Sequence, residues 1–77
     1  MTDLTNDMTT MLTISLNGER IDTPAPTLHA LLQLRGYDFA SAFACAINNI
    51  FVPRAQWAAR ALQHDDRIDI VTPITGG

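Results

Sequence analysis

The chain contains no lysine; all five of its cations are arginine. Its one cysteine, Cys45, excludes an intramolecular disulfide and suits a reducing cytosol, so we expect a cytoplasmic protein. The two histidines, His29 and His64, stand far apart with no CxxC pair near either, and no metal-ligand spacing is present. No apolar run approaches the roughly 20 residues that a membrane span needs. The N-terminus has neither the basic start nor the apolar stretch of a secretory signal. Five cations against eight carboxylates give a net charge of −3. With no basic stripe to neutralise phosphates, this argues against a general nucleic-acid binder.

What is present is a short soluble chain with 47% apolar and 17% charged residues among 77. That length allows one domain, which buries only about 60% of its unfolded surface. Residues 1–10, "MTDLTNDMTT", are polar without a period in their apolar residues and read as a disordered leader, with Met8 or Met11 as alternative starts. The domain is expected over residues 11–73 and a flexible tail over 74–77.

In "MLTISLNGERIDT", Leu12, Ile14 and Leu16 alternate with Thr13 and Ser15, the period of a half-buried strand. Asn17-Gly18 then predicts a type I′ hairpin, with Glu19 to Thr23 returning and Ile21 pointing inward. Pro24 and Pro26 break the strand, and Thr27 is placed to cap a helix over Leu28–Arg35. Leu28, Leu31 and Leu32 form its buried face, and Gly36 follows as its C′ residue. "AFACAIN" reads as a strand buried on both faces, and Asn48-Asn49 turns it into the short strand "IFV". Pro53 opens a short second helix whose apolar face is Trp57, Ala58, Ala61 and Leu62. "QHDD" is a turn, and "RIDIVTP" is the last strand, with Ile68 and Ile70 inward and Pro73 ending its pairing. This order defines an α+β fold: a mixed sheet of four to five strands on one main helix plus the short one.

Most polar candidates have a plain explanation. Tyr37 and Asp38 are loop residues, and Cys45 is a packed small hydrophobe on a buried strand. His29 and His64 lack a Cys or Ser partner and read as solvated surface residues. Asp65-Asp66 is a turn rather than an acid–base pair, and Trp57 is a core anchor. Arg54 in "VPRAQW" is either a contact residue or a solvated one; spacing does not decide. No catalytic or metal constellation is visible, so we expect a non-enzyme.

The tail Ile74-Thr75-Gly76-Gly77 is different. It follows the strand-ending Pro73, so its glycines serve neither as a helix cap nor as a hairpin turn. Two terminal glycines arise by chance in roughly one chain in 200. Without Cβ atoms, such an end can thread a tunnel too narrow for side chains and present its α-carboxylate to a nucleotide. A carboxylate is a poor electrophile until it becomes a mixed anhydride. Positioning and charge neutralisation for that step must come from a partner.

The segments "LTISLNGERID", "TLHALLQLRG", "ACAINNIFVPRAQWAARAL" and "DDRIDIVTPITGG" together resemble the ThiS family, sulfur carrier proteins of thiamine biosynthesis with a ubiquitin-like β-grasp fold. The resemblance covers residues 11–77, with "VPRAQW" and the Gly-Gly end as its most specific parts. It implies a protein co-substrate, a monomer when free, with no cofactor of its own. The carboxylate of Gly77 would be adenylated with MgATP by the E1-like adenylyltransferase ThiF and converted to a thiocarboxylate. The sulfur would come from cysteine through a desulfurase, and thiazole synthase, ThiG, would receive it. Ile74, Thr75 and Gly76 would be the tail that enters the partners' sites. Two departures stand out: the polar leader, and Asp65 where the family commonly has glycine, a position that Asp tolerates in the left-handed region. The absence of lysine fits a chain whose end becomes an activated acyl group. The small subunit of molybdopterin synthase and a ubiquitin-like protein modifier are the alternatives of related fold. A binding module that uses its sheet face is the alternative of a different class.

Overall fold

Asn17 and Gly18 take φ angles of 51° and 87°, the two positive values that a type I′ turn requires. Their turn folds strand β1 (Leu12–Leu16) back on β2 (Glu19–Thr23), pairing Leu12 with Thr23 and Leu16 with Glu19. The coordinates are a computed structural model and describe residues 11–72. The expected leader and the residues from Pro73 to Gly77 lie outside the described residues.

The single α-helix among the described residues, α1 (Leu28–Leu34), begins where Thr27 was expected to cap it. Thr27 Oγ1 accepts from the Ala30 N–H at 3.2 Å. A helix start leaves four N–H groups without intrahelical partners. Here the Leu28 and His29 N–H groups donate to the carbonyls of Arg60 and Trp57, at 3.0 and 3.1 Å. The segment after Trp57 is thereby fastened to the helix start. At the other end Gly36 has φ +80°, its N–H donates to Gln33 O, and the Tyr37 N–H donates to Leu32 O. These two bonds are the Schellman arrangement, so the helix stops at Leu34 with Arg35 as its C-cap, one residue short of the expected span.

Strand β3 (Ala44–Ile47) turns through Asn48 (φ 53°) and Asn49 (φ 69°) into β4 (Ile50–Val52). After a 3₁₀ turn at Arg54–Gln56, β5 (Arg67–Val71) completes a five-stranded sheet of order β2-β1-β5-β3-β4. Only β1 and β5 run parallel; the other neighbours are antiparallel. The α+β β-grasp arrangement expected from the sequence is therefore present.

One face of this sheet packs on α1. Ile14, Ile47 and Ile68 meet Leu28, Leu31 and Leu32, all essentially inaccessible. Each such side chain contributes roughly 1.5–3 kcal/mol by leaving water.

Three local expectations are corrected. Strand β3 is buried on one face only: Cys45 and Ile47 point inward, whereas Ala44 is exposed and Ala46 half-buried. With a single helix layer, the other face of the sheet has nothing to cover it. The second helix reduces to the 3₁₀ turn, with Pro53 preceding it in an extended conformation (ψ 148°). Of its expected apolar face, Trp57 and Leu62 are buried but Ala58 and Ala61 are exposed, and Ala61 instead bridges to Thr27. His29 is half-buried rather than solvated, because its ring stacks on Phe39 at 4.7 Å.

Candidate functional site

The sequence directs attention to the residues that follow β5, and the fold shows what holds that strand. It lies between β1 and β3, matched to β3 from Ala44↔Val71 to Ile47↔Ile68. Its pairing with β1 covers only Ser15↔Arg67 and Leu16↔Ile68. Beyond the end of β1, Asn17 takes over. Its N–H donates to Ile68 O at 2.8 Å, and its Oδ1 accepts from the Ile70 N–H at 2.7 Å. A turn residue thus extends the ladder toward the end of the last strand. Sequence reasoning assigned Asn17 to the turn alone, because its second partner is 53 residues away.

The start of β5 is fixed by Asp66, which is 4% exposed. Its carboxylate accepts from Asn48 Nδ2 at 3.1 Å and from the Gln63 N–H at 2.9 Å, with Arg60 at 3.7 Å. Asp65, beside it, is exposed at φ 70° and pairs with Arg20 at 3.2 Å. The two acids do not form an acid–base pair; one is a buried anchor and the other occupies the left-handed turn position. His64 is exposed, with Nδ1 accepting from the Thr13 N–H at 3.2 Å.

Arg54, left undecided by the sequence, has a defined role. Its Nη1 and Nη2 donate to Phe39 O and Ser41 O, both at 3.1 Å. Its guanidinium lies 4.5 Å from the centre of the Trp57 ring and 5.3 Å from that of Phe43. Trp57 is buried as expected, and its Nε1–H donates to Val52 O at 2.9 Å. Phe43 stacks on Trp57 at 5.1 Å and meets Tyr37 at 5.4 Å. Tyr37 and Asp38 are loop residues, as expected, and Asp38 Oδ1 accepts from the Ala40 N–H at 2.9 Å. The segment from Phe39 to Phe43 is therefore held from behind by one arginine and one indole.

In front of that segment, Ala42, Phe43, Ala44 and Val71 line an open groove of about 340 Å³. It sits at the C-terminal end of β5. Cys45 lies one residue further along, pointing into the core, and burial pushes its thiol up to about 11, partly opposed by the Arg54 charge. It is a neutral thiol near pH 7 and not a nucleophile. Among the described residues no three His, Cys, Asp or Glu side chains come together as metal ligands, and no helix is long and apolar enough to cross a membrane. Ile74, Thr75, Gly76 and Gly77, the residues singled out by the sequence, lie outside the described residues.

A five-stranded mixed sheet on one helix, with its last strand central and leading to the chain's final residues, defines a β-grasp protein. A sequence model of the ThiS family matches residues 13–77, and the chain belongs to the ThiS family. Among solved structures it is similar to a thiamine biosynthesis protein (ThiS) from Geobacter metallireducens, with a TM-score of 0.73 at 16% identity. That similarity covers 86% of this chain and all of the other, and it concerns the fold. No curated protein matches the chain by sequence.

Proposed function

We propose that this protein is a cytoplasmic sulfur carrier of thiamine biosynthesis whose reactive group is the α-carboxylate of Gly77. An E1-like adenylyltransferase of the ThiF type joins that carboxylate to the α-phosphate of MgATP, and pyrophosphate leaves. The acyl-adenylate is then converted to a thiocarboxylate with sulfur drawn from cysteine through a desulfurase. Thiazole synthase, ThiG, receives the sulfur for thiazole phosphate. Ile74, Thr75 and Gly76 are the narrow lead that enters each partner's site, and the domain is the handle by which partners hold it.

The observation that carries this reading is the family match running through Gly77, on a fold whose central strand β5 leads into the tail. The described residues support it by what they hold: anchors and packing, with every singled-out acid and histidine occupied structurally. Intact-mass measurement tests the reading, after incubation with the adenylyltransferase, MgATP and a sulfur source. The expected product carries one sulfur in place of one oxygen, and a chain lacking Gly77 gives none. An unchanged mass with an adenylyltransferase proven active on another carrier would overturn it.

A further inference from the structure

The free face of the sheet carries an apolar strip at one end. Val71 is 64% exposed and Phe51 63%, while Ala44 and Ala46 beside them offer only methyl groups. The nearest charges on this face, Arg67 and Asp69, pair with each other at 3.4 Å. They leave the groove of Ala42, Phe43, Ala44 and Val71 without a charge of its own. Its Phe43 wall is stacked between Tyr37 and Trp57 and backed by the Arg54 guanidinium. Two hydrogen bonds from Arg54 fix the backbone on either side of Ala40, so the groove is formed before anything binds.

Chain length determines what must lie over it. Five residues follow Thr72, and an extended chain spans at most about 3.3–3.6 Å per residue, so Gly77 reaches no more than about 18 Å from the end of β5. An enzyme that reacts at Gly77 must hold its nucleotide within that distance, and its surface therefore covers the groove. An uncharged, preformed groove fits an apolar side chain better than a salt bridge, since a charge seated there would lose hydration without a partner.

We propose that this groove receives an apolar side chain from the nucleotide-binding enzyme that activates Gly77, with Arg54 as the positioning residue that keeps it open. The inference rests on the carrier reading above, and the two are separable by experiment. With the full chain and its adenylyltransferase, pyrophosphate release is measured against carrier concentration. Val71→Asp is expected to raise KM roughly 10- to 30-fold with kcat nearly unchanged. Ala44→Glu, at a second exposed position, is expected to do the same, and covers the case in which the first variant folds poorly. Arg54→Lys keeps the charge but loses the stack and the fork, and is expected to raise KM about 3- to 10-fold at a temperature where circular dichroism shows it folded. Leu34→Asp, on the exposed side of α1, is expected to leave KM unchanged. If the wild-type chain is activated and Val71→Asp and Ala44→Glu share its KM, the docking proposal is wrong while the carrier reading stands. An equal rise in KM for Leu34→Asp also overturns it. If the wild-type chain is never activated, both fall.

Discussion

Asn48 Nδ2 donates to Asp66 Oδ1 at 3.1 Å, while Asn48 Oδ1 accepts from the Arg67 N–H at 2.9 Å. One carboxamide therefore joins the β3–β4 turn to the start of β5 with both of its ends. Removing either partner leaves a polar group buried without a bond, which costs more than the bond itself is worth. Asp66→Ala is expected to lose about 2–3 kcal/mol, read as a lower urea midpoint at unchanged slope. Asp65→Ala, whose only ion pair is exposed, is expected to lose less than about 1 kcal/mol.

The backbone at Asp65 carries a separate prediction. A φ of 70° is costly for residues with branched side chains and free for glycine. Asp65→Val is expected to destabilise by about 1–2 kcal/mol. Asp65→Gly is expected to stay within about 0.5 kcal/mol of the parent, because the relief of strain is offset by a more flexible unfolded chain. Thermal unfolding of the two variants side by side gives the sign and order.

Trp57 combines packing with a hydrogen bond. Trp57→Phe keeps an aromatic ring but leaves Val52 O without its donor and opens space beside Arg54. A loss of about 1–3 kcal/mol is expected. Trp57→Ala is expected to cost about 3–5 kcal/mol and to leave a chain of this size mostly unfolded at moderate temperature. Circular dichroism in a urea series distinguishes the two.

Cys45 makes stability sensitive to alkali. Its thiol has an ordinary value of 9.0 when solvated and holds its proton to about 11 in the core. Between those values unfolding releases a proton, so the contribution is complete below pH 9 and is lost as pH rises through the window. The loss is at most about 3 kcal/mol. Unfolding free energies measured from pH 8 to 11 should fall more steeply for the parent than for Cys45→Ala. The variant starts lower because of its cavity, so the slope is the quantity that decides.

Local signals carried much of the fold. Asn17-Gly18 fixed a turn because its φ requirement is met within two residues, and Leu28, Leu31 and Leu32 marked a helix face through spacing alone. Thr27 and Gly36 marked its ends for the same reason. Features that depend on distant partners were not legible. Arg54 acquires its role from carbonyls 13 and 15 residues earlier in the chain. Asp66 is buried by the turn at Asn48, and His29 by Phe39. The alternation in "AFACAIN" cannot say which of two apolar faces a helix will cover, because alanine suits either environment. For the proposed site the balance is reversed. Gly77 is singled out by its place in the sequence and by family resemblance, whereas the groove proposed to receive its partner emerges only when β3 is laid beside β5.

The central position of β5 has a mechanical consequence. A partner that grips the tail and withdraws pulls along the axis of a strand that is bonded on both sides. Against β1 the load runs in shear, so the hydrogen bonds of Ser15 and Asn17 to the Asp66 and Ile68 carbonyls resist together instead of opening in turn. An edge strand would peel. Here repeated insertion and extraction of the chain's end strains the domain where it is hardest to unzip.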